Sequence, residues 1–308
     1  MDFEKSFKIH NKFLMEGALG ERLKREYHLT IDENLALAKL VLLPEGRAAL
    51  KELWEQYIDI ARRYSLPFLA TTPTRRANIE RIHNAKCDSS VMIENVRFLK
   101  EIRECCGIEM YVGGLMGCKL DAYTGEGALS RKEAYNFHSW QANVFCEEKV
   151  DFLYAGIMPV LTEAIGMAEA MSSTQLPYII SFTINKDGTL VDGTKISKAI
   201  DIIDTSVTHK PLCYMANCVY PTIVYEALMQ PWNKADIVQK RFLGIQANTS
   251  PLPYSELDNS NDLKSADPIT FANDMMRLSR DMNFKIMGGC CGTDNHHMEE
   301  VAKRFYLI

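Results

Sequence analysis

The 308-residue chain has no uninterrupted apolar stretch near the roughly 20 residues that a membrane-spanning helix needs, so no membrane partner is expected. It has no basic block either. Lys and Arg number 35 against 40 Asp and Glu, for a net charge of -5, which argues against nucleic acid or an anionic membrane surface as partner. Arg75-Arg76 is the nearest approach to a basic patch and reads as a solvated helix start. The opening Met1-Asp2-Phe3-Glu4-Lys5 lacks an apolar signal segment, so secretion is not expected and the cytoplasm is. The nine cysteines are an odd number in a chain too long to need disulfide staples, which fits reduced thiols and a metal site better than a disulfide framework. No Pro-, Gly- or Ser-rich linker divides the chain, so a single domain over residues 1–308 is expected.

What the chain does have is alternation. Short apolar runs at residues 13–15, 68–71, 110–113, 152–155, 178–182, 212–215, 242–246 and 285–287 read as strands. Helical patterns lie between and after them, at 47–64, 79–105, 131–148, 160–172, 193–203, 223–229, 268–282 and 296–305. Eight strand-then-helix units imply a parallel sheet covered by helices, and in a chain of this length they predict a closed (β/α)8 TIM barrel of the α/β class. The stretches 113–129 and 248–267 then read as long loops over the C-terminal face, where barrel active sites form.

Three cysteines fall on that face: Cys218 after the sixth strand and Cys290-Cys291 after the eighth. Three thiolates bind zinc tightly and leave its fourth tetrahedral position open, which suits catalysis. Packing of paired cysteines beside a Gly-rich turn is the alternative, and the residues alone leave both open. Gly288-Gly289 and Gly292 let the backbone fold closely around the pair. The run lacks the Lys of a phosphate-binding loop. Cys87, Cys105, Cys106, Cys118, Cys146 and Cys213 read as small hydrophobes or idle thiols. His296-His297 read as the start of the last helix, capped by Asp294 or Asn295. Asn217, beside a candidate ligand, is either a turn residue or a support for that loop or the substrate.

Met215-Ala216-Asn217-Cys218 together with Gly288-Gly289-Cys290-Cys291-Gly292-Thr293 resembles the zinc signature of the homocysteine S-methyltransferase family. Weaker matches follow in the family's order: Glu16-Gly17-Ala18 with Glu16 in place of the usual Asp, Thr71-Thr72-Pro73-Thr74, Asp121-Ala122-Tyr123-Thr124-Gly125, Asp192-Gly193-Thr194 and Gln246-Ala247-Asn248. The resemblance implies a (β/α)8 barrel that moves a methyl group onto the thiol of homocysteine to give methionine. It implies Zn2+ held by Cys218, Cys290 and Cys291, with Glu16, Gly17, Ala18, Asn217 and Asn248 as substrate-binding residues. The implied partners are small molecules: a thiol acceptor and an onium donor, S-methylmethionine or S-adenosylmethionine. The chain has no room for a separate folate or cobalamin domain, nor for the long C-terminal arm of betaine-using members; a monomer or weak homodimer is expected.

One departure qualifies the acceptor. Where the family places Glu-Thr after the fourth strand, this chain reads Gly156-Ile157. That Glu normally meets the amino group of homocysteine, and glycine is expected to leave room behind it. Either Glu16 takes the ammonium, or the acceptor is a thiol without an α-amino group, or the chain is a non-catalytic zinc- or thiol-binding homologue. Glu163, further along the same segment, reads as structural.

Overall fold

The computed structural model describes residues 2–251 and 265–307. Its eight strands, β1 (Phe13–Met15), β2 (Phe68–Thr71), β3 (Met110–Gly117), β4 (Phe152–Met158), β5 (Tyr178–Phe182), β6 (Cys213–Asn217), β7 (Phe242–Ala247) and β8 (Ile286–Gly289), close into a barrel in sequence order. Every neighbouring pair is parallel, including β1 with β8. The (β/α)8 expectation is met, and the described residues form one domain. The part of the 248–267 loop that spans 252–264 lies outside the described residues.

The helices, in chain order, are α1 (Phe3–Ile9), α2 (Gly20–Arg25), α3 (Pro44–Arg63), α4 (Ile79–Asn84), α5 (Ser90–Cys106), α6 (Arg131–Glu147), α7 (Leu161–Ser173), α8 (Ile196–Ser206), α9 (Pro221–Met229), α10 (Asp236–Arg241), α11 (Pro268–Met282) and α12 (Asn295–Leu307). Among the described residues, no helix is long and apolar enough to cross a membrane. The single pattern read over 79–105 is two helices. Lys86 between them takes a left-handed conformation (φ 54°), and Asp88 accepts from the Ser90 N–H at 2.9 Å to start α5. The capping box of Ser130 and Glu133 starts α6.

Alternation along the strands sorts the side chains. Phe13 and Met15 join the barrel interior with Leu69, Tyr111, Phe152, Tyr154, Ile179 and Met215, while Leu14 and Leu153 face the helices. Strands β3 and β4 run four and three residues beyond the runs read at 110–113 and 152–155, because glycines at 114, 117 and 156 carry no apolar signal. The glycines of β3 have a packing reason. A Cβ on Gly113 would sit 2.4 Å from the Phe152 ring inside the barrel, and one on Gly114 would sit 2.5 Å from Phe145 of α6 outside it. The short helix α1, absent from the sequence expectation, plugs the N-terminal end of the barrel. Its Phe3 ring lies 4.7 Å from that of Phe152 and 5.1 Å from that of Tyr111, with Phe7 stacked on Phe13 at 5.8 Å.

Candidate metal centre and its cavity

Strands β6, β7 and β8 end side by side, and their loops bring three sulfurs together. The Cys218 backbone adopts a left-handed conformation (φ 56°) and donates its N–H to Gln246 O at 2.8 Å. Asn248 Nδ2 donates to the Cys218 carbonyl at 2.9 Å. Across the barrel seam, Cys290 donates its N–H to Ala247 O at 2.7 Å, and Cys291 O accepts from the Thr249 N–H at 3.1 Å. Gly292 (φ 82°) allows this tight turn: a Cβ there would meet Thr249 Oγ1 at 2.0 Å. Its N–H is held by Glu21 Oε2 at 2.6 Å.

The result is Cys218 Sγ to Cys291 Sγ at 3.5 Å and Cys290 Sγ to Cys291 Sγ at 4.0 Å, with all three sulfurs within 4.8 Å of one another. Three thiolates on one tetrahedral zinc at about 2.3 Å each lie about 3.8 Å apart, so the cluster fits that ion. Among the described residues no other His, Cys, Asp or Glu joins it. His297 lies elsewhere, bonded to Asp294 and Ala266 O, and Asp294 caps α12 by accepting from the His297 N–H. The electrostatics agree. Hydrogen bonding from Cys290 and Cys291 holds the Cys218 thiol well below its usual range despite burial, and Tyr123 adds a hydroxyl donor at 3.3 Å. The bond to Cys218 is the main cause that pushes Cys290 and Cys291 up, joined by burial at Cys290 and by the bond to Cys290 at Cys291. Without a cation the cluster retains protons that a metal would displace.

Beside the sulfurs is a cavity of about 490 Å³, lined by Cys290, Cys291, Glu16, Gly17, Ala18, Thr71, Arg75, Tyr123, Tyr154, Gly156, Asn217 and Gln246 among others. A larger groove of about 690 Å³ lies on the outer face between α3 and α5 and holds none of these residues. Glu16 is the buried acid of the cavity, only 4% exposed. Its Oε1 accepts from Thr71 Oγ1 at 2.5 Å and weakly from Gln246 Nε2 at 3.5 Å, while its buried Oε2 has no partner. Burial pushes its pKa up to about 7, against the lowering effect of those bonds. Asn217 is a brace: its Oδ1 accepts from the Tyr154 hydroxyl at 2.7 Å, and its Nδ2 donates to Gln246 Oε1 at 3.1 Å. The Tyr154 hydroxyl also lies 2.9 Å from Gln246 Oε1 and shares its one hydrogen between the two amide oxygens, so the three side chains form one closed unit that fixes the amide facing Glu16.

Gly17 and Ala18 line the cavity as expected, but Ala18 is pinned on both sides. Its N–H donates to Thr293 Oγ1 at 2.9 Å, and its carbonyl accepts from the Tyr57 hydroxyl at 2.9 Å. A Cβ on Gly17 would sit 2.6 Å from that hydroxyl oxygen. Asn248 supports Cys218 and keeps a buried, unpartnered Oδ1. Two expectations need correction. The space beside Gly156 is partly filled, since a Cβ there would meet Leu115 Cδ1 at 2.7 Å. Arg75 is a half-buried wall of the cavity and not a solvated helix start. Glu163 is structural: fully buried in α7, it accepts from the N–H groups of Lys119 and Leu129 at the two ends of the loop that carries Tyr123. Sequence reasoning missed Tyr154, Tyr123 and Gln246 as site residues. The interior parity of β4, which places Tyr154 two residues from Gly156 on the same face, was the available signal.

Comparison with known proteins matches this geometry to a family. A family model described as homocysteine S-methyltransferase matches residues 13–305. Among solved structures, the homocysteine methyltransferase MmuM from Escherichia coli in its metallated form superposes with a TM-score of 0.77 at 16% identity, over 97% of this chain and 98% of that one. Its oxidized form gives 0.77 at 17%, over 96% and 97%, and its apo form 0.70 at 17%, over 96% and 97%. At such identities the likeness speaks for the fold. No curated protein matches.

Proposed function

The chain belongs to the homocysteine S-methyltransferase family and is a methyltransferase, and we propose that it transfers a methyl group from an onium donor, S-methylmethionine or S-adenosylmethionine, to homocysteine with the help of zinc. The observation that carries this reading is the trio Cys218, Cys290 and Cys291 opening on a cavity whose floor is the unpaired Oε2 of Glu16. Those three cysteines would hold the ion. When bound, zinc supplies deprotonation of the acceptor thiol at neutral pH, where a free thiol of pKa ~8.5 is only a few per cent thiolate.

The residues of the chain do the rest. Glu16 Oε2 accepts the acceptor's ammonium, which restores the ionised carboxylate that burial disfavours. The Tyr154–Asn217–Gln246 unit keeps Glu16 and the floor in place, and Gly17 leaves room for Tyr57, which holds the Ala18 carbonyl. The donor's methyl carbon bonds to the acceptor sulfur as its bond to the donor sulfonium breaks, and the donor leaves as a neutral sulfide. The cavity's part is to align the two sulfurs in line with that carbon.

A second reading, an acceptor thiol without an α-amino group, is favoured by Gly156, which puts no acid on the β4 side of the cavity. The deciding experiment measures metal content and methionine formation with each donor, for the wild type and for Cys218→Ala, Cys290→Ala and Cys291→Ala. About one zinc per chain is expected in the wild type, with zinc and turnover lost together in each variant. Zinc content unchanged with all three cysteines replaced would sink the assignment. Turnover with a mercaptobutyrate but not with homocysteine would select the second reading.

A further inference from the structure

The cavity that holds Glu16 also holds a cation, Arg75, with no acid partner among the described residues. Arg75 follows β2, and its aliphatic stem lies against the end of β3: a Cβ on Gly117 would sit 2.6 Å from Arg75 Cγ. Gly117 is the register partner of Gly156 in β4. The arginine stem therefore packs on Gly117, whose neighbour across the β3–β4 ladder is also a glycine. Arg75 is half-buried and lines the same cavity as Cys290 and Cys291. Among the described residues, no carboxylate lies within ion-pair distance of it. Cys118, a titratable group near it, is a thiol that burial keeps protonated, with its pKa pushed up to about 12. Glu21, the acid at the cavity mouth, is engaged with the Gly292 N–H at 2.6 Å and with Arg25 at 3.8 Å.

A guanidinium stays charged at any working pH, and its fork matches a carboxylate with two parallel hydrogen bonds. Partial burial without a counter-ion is unfavourable until a ligand supplies the anion. Lys24 and Arg76 also line the cavity but are exposed at its mouth, so the groups set back beside the sulfur cluster are the unpartnered Oε2 of Glu16 and the half-buried Arg75 guanidinium. A thiol amino acid is a zwitterion with the complementary pair. On the loop after β1, the Ala18 N–H is already given to Thr293 and is not free for a ligand carboxylate.

We infer that Arg75 is the carboxylate subsite of the acceptor, so that the acceptor lies across the cavity with its ammonium at Glu16 and its carboxylate at the β3–β4 corner. This rests on the thiol-methyltransferase reading and deepens it. It makes Arg75 a specificity-determining residue on the face of the barrel where Gly156 leaves no competing acid.

The test is calorimetry on the zinc-loaded protein with three thiols: homocysteine, its decarboxylated counterpart (an aminopropanethiol) and its deaminated counterpart (a mercaptobutyrate). Arg75→Met is expected to weaken homocysteine and the mercaptobutyrate about ten- to hundredfold. It should leave the aminopropanethiol within about twofold, which also shows that the variant is folded. Arg75→Lys should recover part of the loss, keeping the charge without the fork. Equal weakening of all three thiols, or of none, overturns the subsite. If none of the three thiols binds the zinc-loaded wild type, the methyltransferase reading itself fails and the subsite falls with it.

Discussion

The two ends of this barrel are built from the same eight strands and opposite chemistry. At the N-terminal end, Phe3 and Phe7 of α1 press on Phe13, Tyr111 and Phe152, and aromatic ring contacts dominate. At the C-terminal end, three sulfurs share one cavity with a carboxylate oxygen and a guanidinium that have no ion-pair partner among the described residues. Hydrocarbon burial at one end stabilises the fold at about 25 cal/mol per Å². Buried polar groups at the other are unfavourable until a ligand completes them. Stability and function are therefore separable along the barrel axis, and substitutions at the two ends should change different measurements.

The largest effect on stability is expected at the plug. Phe3 is 1% exposed, so Phe3→Ala should cost about 3–5 kcal/mol in denaturant unfolding through lost burial and the cavity left behind. Zinc per folded chain should stay as in the wild type. A variant that kept its stability but lost its zinc would break the division between the two ends.

The same division explains what could be read before the structure was known. Periodic apolarity made the eight strands legible, and Tyr178–Phe182 was read to the residue. The ends of β3 and β4 were not, because Gly114, Gly117 and Gly156 continue a strand without adding any apolar signal. The α1 plug escaped because a seven-residue helix gains its stability from the barrel bottom it covers, not from its own pattern. At the mouth, the three cysteines were legible because adjacent thiols flanked by glycines at a strand end have few other uses. The group of Tyr154, Asn217, Gln246 and Glu16 joins β4, β6, β7 and the loop after β1, as many as 230 residues apart along the chain, and nothing in local spacing signals it. Arg75 was misread for a similar reason. Its place in the cavity depends on a glycine of the neighbouring strand.

A smaller effect is expected at Glu16 in the metal-free, ligand-free protein. Its pKa rises from the ordinary 4.5 to about 7 in the fold, mainly through burial. The folded state therefore binds this proton more tightly than the unfolded chain. The stability it contributes is complete below about 4.5 and is lost as pH rises through about 7, on the order of 3 kcal/mol in all. Glu16→Gln removes the titration while keeping a hydrogen-bonding side chain. Between about pH 5 and pH 8, wild-type unfolding free energy should fall more steeply than that of Glu16→Gln. Parallel curves for the two proteins would show that Glu16 stays ionised in the fold, and the mouth would then be less frustrated than its geometry implies.

The smallest effect separates the two ends by backbone strain. Left-handed non-glycine residues occur at both. Ser65, Lys149, Gln175 and Asn283 follow helices and lead into strands at the bottom, while Ile157 and Cys218 follow or end strands at the top. At the bottom the conformation only terminates a helix, as with exposed Lys149 (φ 52°), whose N–H donates to Cys146 O at 3.0 Å. An L side chain there costs about 1–2 kcal/mol, and glycine would relieve it at an entropic cost of about 0.5–1 kcal/mol. Lys149→Gly should therefore raise stability by about 0.5–1 kcal/mol. At the top the same exchange is expected to fail. Ile157 is 6% exposed and belongs to the hydrophobic core, so Ile157→Gly loses more than the strain it relieves, with a net cost of about 2 kcal/mol or more. Chemical denaturation of both variants gives the sign of each change. Two gains would mean that the strain beside Gly156 is as idle as a helix cap. Opposite signs would mean that it is held in place by packing that also shapes the cavity.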